Sequence, residues 1–152
     1  MKIKERVQRI KKSNLQISKG YSNTLKCSKG RAEGLSHKIT KFWIANYCWE
    51  HSLEFASEVV FKDNQRADIV IKDWNVAIEV LGTESVKDFS KKRYPMPAVP
   101  VSAMMPVKDI LAMMKDIEQT DGDGADYYIR KHMNDLATNK RKYLIKTMED
   151  MA

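Results

Sequence analysis

The sequence predicts one α/β domain in which a small mixed β-sheet is flanked by helices. Its 152 residues suffice for a single hydrophobic core, and 43% of them are hydrophobic. Residue periodicity gives the order helix, three strands, helix, strand and two helices, which is typical of a sheet covered by helices. We divide the chain into a basic N-terminal arm, residues 1–31, and a domain, residues 32–152, that includes the C-terminal helices.

Each element follows from a local pattern. Apolar residues at spacings of three and four predict helices, and runs rich in Val and Ile predict strands. Pro100 places its strand at an edge or a bulge, because proline lacks the N–H that a central strand needs. The expected elements are a helix over about 32–51, extended chain over 53–61, strands over 66–72 and 75–81, a helix over 84–93, a strand over 98–102, and helices over about 106–118 and 125–150.

The positive charge of the chain is concentrated at its start. The net charge is +7, and ten Lys and Arg residues up to Arg31 are opposed by Glu5 alone. Such a segment attracts phosphate backbones by releasing their counterions. A solvated tail is the other interpretation, and charge by itself does not choose between the two.

Composition also restricts the location of the protein. No apolar run approaches the ~18 residues that span a bilayer, and the first residues lack the apolar core of a secretory signal. Cys27 and Cys48 have no metal-ligand spacing, which favours two reduced thiols. We expect a cytoplasmic protein without a membrane partner.

The two predicted central strands form a β-hairpin that brings two carboxylates together. With the turn at Asp73 and Trp74, residues whose numbers sum to 147 are opposite each other, so Asp68 faces Glu79. Opposed like charges destabilise a sheet, and burial adds to the cost. A cation should therefore neutralise the pair. It is either a divalent metal, Mg²⁺ or Mn²⁺, or a protein salt bridge to Arg66 or Lys72. A register shift of one residue would separate the carboxylates.

Asp68 and Glu79 also belong to a longer series of acidic residues that is typical of a known protein superfamily. Glu33 occurs in KGRAEGLSHKI, Asp68 in RADIVI and Glu79 in AIEVL. The run from Lys29 to Ser85 thereby resembles the PD-(D/E)XK nuclease superfamily, most closely the archaeal Holliday-junction resolvases. The resemblance implies a restriction-endonuclease-like core, with Glu33, Asp68 and Glu79 as catalytic residues that hold Mg²⁺ or Mn²⁺. It also implies a homodimer, because junction resolution needs paired active sites.

One position departs from that pattern, since Leu81 stands where the superfamily has the lysine of E-x-K. In the superfamily that lysine positions the attacking water and stabilises negative charge. Migrated lysines occur, and the helix expected after the hairpin offers Lys91 first and Lys87 second. His37, one turn beyond Glu33, either orients a carboxylate or is structural.

The sequence thus predicts a metal-dependent endodeoxyribonuclease, with a Holliday-junction resolvase as one form of it. The basic arm and the last helix are expected to bind DNA phosphates without reading sequence. The residues assigned to that contact are Lys11, Lys12, Lys29, Arg31, Lys140, Arg141 and Lys142. Two alternatives stay open. One is a sequence-specific homing or repair endonuclease, and the other is a nucleic-acid-binding protein on a nuclease fold that does not cut.

Overall fold

A computed structural model of the chain describes residues 4, 8, 14–27, 34–82 and 86–151, and for residues 139–151 it describes the backbone alone. The described residues form a mixed α/β fold of five strands and four helices. In chain order these are β1 (Ile17–Ser22), α1 (Leu35–Glu50), β2 (Phe55–Phe61), β3 (Arg66–Ile71), β4 (Val76–Leu81), α2 (Val86–Ser90), β5 (Ala98–Ser102), α3 (Val107–Gln119) and α4 (Ala125–Met151).

The five strands form one mixed sheet in the order β1-β2-β3-β4-β5. The first four strands are antiparallel to their neighbours, and β5 is parallel to β4. The connection from β4 to β5 includes α2, because parallel neighbours require a crossover. Pro100 lies in β5 at the edge of the sheet, as the sequence predicts.

Apolar side chains cover both faces of the sheet. On the first face, α1 and α3 pack over β3, β4 and β5 in a large buried cluster that includes Ile44, Ile78 and Ile117. On the second face a smaller cluster, which includes Phe61 and Val70, packs against the segment at residues 94–96. The central strands are therefore buried on both sides, which explains their nearly continuous Val and Ile content.

The structure corrects the sequence-based predictions in two places. Strand β1 lies within the segment that was assigned to the N-terminal arm, and it pairs with β2 as part of the sheet. Helix α2 is shorter than expected and ends at Ser90. Trp74, in the predicted hairpin turn, is 4% exposed and belongs to the core.

Two further observations bear on the expected location. Among the residues that the structure describes, none of the helices combines the length and hydrophobicity needed to cross a membrane. Cys27 and Cys48 both lie in the described part of the chain, and neither is in a disulfide.

Candidate active site

The β3–β4 hairpin has the register that the sequence predicts. Ile69 pairs with Ile78, Val70 with Ala77, and Ile71 with Val76, so each pair of numbers sums to 147. The turn is closed by backbone hydrogen bonds from Trp74 N–H to the Ile71 carbonyl and from Asn75 N–H to the Lys72 carbonyl. Asn75 has φ 56°, a left-handed conformation that asparagine tolerates in turns. This register brings Asp68 and Glu79 to the same level of the sheet.

Next to Asp68 and Glu79, the Asp68 carboxylate takes the place of backbone pairing between β3 and β4. Regular pairing of the two strands extends to Ile69 and Ile78. Beyond this pair, the N–H of Val80 donates to Asp68 Oδ2 at 2.7 Å. The side chain of Asp68 thus takes the place of a backbone acceptor, which fixes the orientation of its carboxylate.

The strict alternation of side chains fails at the same point. Ala67 and Val70 both belong to the cluster on the second face, although alternation would put them on opposite faces. Ile69 packs on the first face, and Asp68 reaches His37 on α1, with 3.4 Å between His37 Nε2 and Asp68 Oδ2. The local distortion of β3 therefore lets Asp68 contact both helix α1 and strand β4.

Asp68 and Glu79 form a buried, hydrogen-bonded carboxyl pair. Burial, then the hydrogen bond and the charge of Asp68, raise the pKa of Glu79 to about 9. Burial acts to raise the pKa of Asp68 as well. The contact with His37 and hydrogen bonds with Glu79 and the Val80 N–H outweigh it, so the pKa of Asp68 is lowered. At neutral pH the pair consequently holds one proton, carried by Glu79, and one negative charge.

Two side chains from the segment after α2 contact Glu79. The hydroxyl of Tyr94 donates to Glu79 Oε2 at 2.6 Å. The ammonium of Lys92 lies 3.9 Å from the same oxygen. Tyr94 also packs against Phe61 and Phe89, so its ring is fixed by the cluster on the second face. Glu79 is therefore bound on one side by Asp68 and on the other by a phenol and a cation.

Within the described part of the chain, the lysine that contacts the carboxyl pair differs from those that the sequence favours. Leu81 is 3% exposed and packs in the interior, so the motif position itself supplies no cation. Lys87 and Lys91 have exposed side chains, on α2 and in the turn that follows it. Lys92 is the residue whose ammonium reaches Glu79. A helical pattern pointed to 87 and 91, but α2 ends at Ser90, and beyond it helical spacing no longer predicts direction.

The structure also places a second acid–base pair beside the site, which the sequence analysis missed. Glu58 lies opposite Asp68 in the β2–β3 register, between the pairs Ser57–Ile69 and Val59–Ala67. Glu58 has φ 46°, a conformation that glutamate rarely adopts within a strand. Its Oε1 accepts a 2.6 Å hydrogen bond from Lys41 Nζ on α1, and the Lys41 side chain is 0% exposed. A lysine on an otherwise apolar helical stretch was the available clue.

Several residues with predicted roles lie outside the described part of the chain. Glu33 is among them, so its place relative to Asp68 and Glu79 stays a prediction. The same is true of the side chains expected to bind phosphates, namely Lys11, Lys12, Lys29, Arg31, Lys140, Arg141 and Lys142.

The carboxyl pair is compatible with Mg²⁺ or Mn²⁺ but does not by itself enclose the ion. Within the described ranges, no group of three or more His, Cys, Asp and Glu side chains is arranged to hold a metal. Mg²⁺ commonly binds through only one or two carboxylates and keeps several waters. Two hydrogen-bonded carboxyls that retain a proton at neutral pH form a donor set of this kind, because a divalent cation can replace that proton.

Comparisons with known proteins give no match: no protein-family model, curated protein or solved structure is similar to this chain.

Proposed function

We propose that this protein is a divalent-metal-dependent endonuclease that hydrolyses phosphodiester bonds in DNA. The observation that carries the proposal is the buried Asp68–Glu79 pair, which holds a proton that a cation can replace. A net charge of +7 supports a polyanionic substrate. The resemblance of the segments around Glu33, Asp68 and Glu79 to the PD-(D/E)XK nucleases supports the choice of reaction.

Asp68 and Glu79 would hold the metal, and Glu33 is proposed as a further ligand. When bound, Mg²⁺ or Mn²⁺ supplies an acidified water and stabilises the negative charge that develops on the phosphate. The Val80 N–H and His37 orient Asp68. Tyr94 orients Glu79 through Oε2. These contacts fix both carboxylates before substrate arrives, which lowers the cost of organising the site.

Lys92 is proposed to replace the motif lysine that Leu81 lacks. Its ammonium already lies beside the carboxyl pair, at 3.9 Å from Glu79 Oε2. A cation there can stabilise the charge on a phosphate that approaches the pair. Lys91 and Lys87 remain the candidates favoured by sequence, and their exposed side chains make them candidates for contacts with the flanking DNA.

The test is a cleavage assay with labelled four-way junction, duplex and single-stranded DNA, in Mg²⁺, in Mn²⁺ and in EDTA. We expect cutting that requires metal and is lost in Asp68→Asn and in Glu79→Gln. Asp135→Asn is the matched control, because Asp135 is exposed on α4, and it should cut as the wild type does. Cleavage that persists in both site variants would overturn the assignment of the active site.

The preferred substrate decides the subclass. Preference for the four-way junction supports a Holliday-junction resolvase, whereas preference for one duplex sequence supports a homing or repair endonuclease. A resolvase must cut two strands, so the proposal includes a homodimer, which sedimentation equilibrium tests directly. A cytoplasmic location is part of the same proposal and is tested by cell fractionation.

A second candidate function is nucleic-acid binding without cleavage. It is favoured by the buried Leu81 at the motif position and by the contact of Lys92 with Glu79, which places a cation beside the negative charge of the carboxyl pair. This candidate predicts equal DNA affinity in Mg²⁺ and in EDTA, with no product from any substrate.

A further inference from the structure

A cleft lined by basic residues lies on the sheet beside the carboxyl pair. It has a volume of about 370 Å³ and is lined by Lys19, Tyr21, Lys26, Cys27, Glu58, Val60 and Arg66. Val60 on β2 pairs with Lys19 on β1 and with Arg66 on β3. The two cations therefore stand in one row across three strands, roughly 10 Å apart at their backbones.

The position of the cleft relates it directly to the active site. Arg66 precedes Asp68 by two residues on β3, which corresponds to about 7 Å along the strand. Glu58, which lines the cleft, lies opposite Asp68 in the β2–β3 register. One DNA strand carries a phosphate for about every 3.4 Å of helix axis, so several phosphates of a bound strand lie close to one at Asp68. A phosphate in the cleft would thus be a near neighbour of a phosphate at Asp68.

The electrostatic character of the cleft is positive. Lys19, Lys26 and Arg66 all have exposed side chains. The single acid, Glu58, is paired with Lys41 at 2.6 Å. Three cations consequently face the solvent in the cleft. The negative charge of Glu58 is compensated by the fully buried ammonium of Lys41. Such an arrangement attracts a polyanion more than an isolated metabolite anion.

Contacts that hold Lys26 in place show that the cleft is preorganised. The N–H of Lys26 donates to Ser57 Oγ at 2.7 Å, and its carbonyl accepts a 3.0 Å hydrogen bond from Lys41 Nζ. The Lys26 ammonium lies 5.6 Å from the centroid of the Tyr21 ring, a cation–π contact. The buried Lys41 therefore holds in place both the Glu58 side chain and the backbone of Lys26, two residues that line the cleft.

We propose that this cleft binds the sugar–phosphate backbone of the DNA strand next to the bond that is cut. The proposal rests on the proposed nuclease function and adds a binding surface on β1–β3 to it. Lys19, Lys26 and Arg66 each contact a phosphate, so the cleft sets the position of the strand without reading its sequence. Lys41 and Tyr21 act as positioning residues that hold Lys26.

The test measures DNA binding in EDTA, where metal-dependent cleavage does not occur. Fluorescence anisotropy gives the association constant of labelled duplex over a series of KCl concentrations. Each phosphate contact contributes about 0.9 to the slope of log K against log salt, so the triple variant Lys19→Ala/Lys26→Ala/Arg66→Ala should reduce the slope by about 2.7.

The control is a second triple variant with the same loss of charge, Lys62→Ala/Lys108→Ala/Lys115→Ala. These residues are exposed, in the turn after β2 and on α3, and do not line the cleft. We expect its slope to change by less than about 1, the equivalent of one contact. Thermal unfolding of both triple variants verifies that each is folded, and the single variant Arg66→Ala should reduce the slope by about 0.9.

Equal slopes in the two triple variants would overturn the proposal that the cleft binds DNA. A wild-type protein that does not bind DNA would overturn it as well. Neither result depends on cutting. Conversely, if DNA binding depends on the cleft but the protein never cleaves DNA, the nuclease proposal is refuted and the cleft proposal stands. The two proposals therefore fail separately.

Discussion

Replacing Glu79 with glutamine removes the proton that the carboxyl pair holds. The Glu79 side chain is 11% exposed, and its pKa is raised from 4.5 to about 9, first by burial and then by Asp68. The unfolded chain releases this proton near pH 4.5, whereas the folded chain keeps it to about pH 9. The folded state holds one extra proton between these two pH values. The stability that this proton contributes is therefore fully present below pH 4.5 and is lost as pH rises to about 9.

The pH dependence of the free energy of unfolding follows from the one extra proton that the folded state holds. The free energy of unfolding of the metal-free protein should fall by up to about 1.4 kcal/mol per pH unit, or about 3 kcal/mol between roughly pH 6 and 8. Asp68 has a lowered pKa and stays ionised in this range, so it adds no slope there. Glutamine cannot ionise, and its amide can donate to Asp68. Glu79→Gln should therefore lose this slope and be more stable than the wild type at the alkaline end.

Urea unfolding followed by circular dichroism, in EDTA at several pH values, measures this slope. Glu54→Gln is the matched control, because Glu54 is exposed, and it should retain the slope of the wild type. A Glu79→Gln variant whose stability falls with pH as steeply as that of the wild type would refute the shared proton.

The same variant should lose the stabilisation that metal gives the wild type. Mg²⁺ at ten times its dissociation constant should stabilise the wild type by about 1.4 kcal/mol. The gain should increase with pH, since a proton and a cation compete for the pair. Glu79→Gln should show no such gain, and equal stabilisation of both proteins would contradict the carboxyl pair as the metal site.

Four further substitutions test other parts of the structure. Lys92→Ala should slow cleavage by about 10²-fold, whereas Lys91→Ala should cut at nearly the wild-type rate. The reverse order would show that Lys91, and not Lys92, replaces the motif lysine. Lys41→Ala should reduce the free energy of urea unfolding by about 3 kcal/mol, because it removes one partner of a buried ion pair, and a loss below about 1 kcal/mol would indicate a pair worth no more than a surface one. Gly122→Ala should lower the melting temperature markedly, because φ is 98° and the added carbon would lie 2.5 Å from the Trp74 carbonyl oxygen, and an unchanged melting temperature would contradict this contact.

Local pattern was sufficient for most of the fold. Alternating and helical periodicities predicted α1, the hairpin, β5, α3 and α4, because these elements bury apolar side chains at regular intervals. The register of the hairpin was predicted as well, since a turn centred on Asp73 and Trp74 fixes which residues pair. β1 was missed because its sequence, ISKGYS, is mostly polar and exposed. It is a strand because β2 offers it backbone partners.

The sequence by itself determined that two acids face each other across a hairpin in an apolar sheet. Only the tertiary structure decided their surroundings. The distortion of β3 turns Asp68 toward His37, and the segment after α2 brings Tyr94 and Lys92 to Glu79. The physical reason is that periodicity records which side of its own element a residue occupies. The partner on another element depends on where that element ends and on how the chain returns to the sheet, which no local pattern encodes.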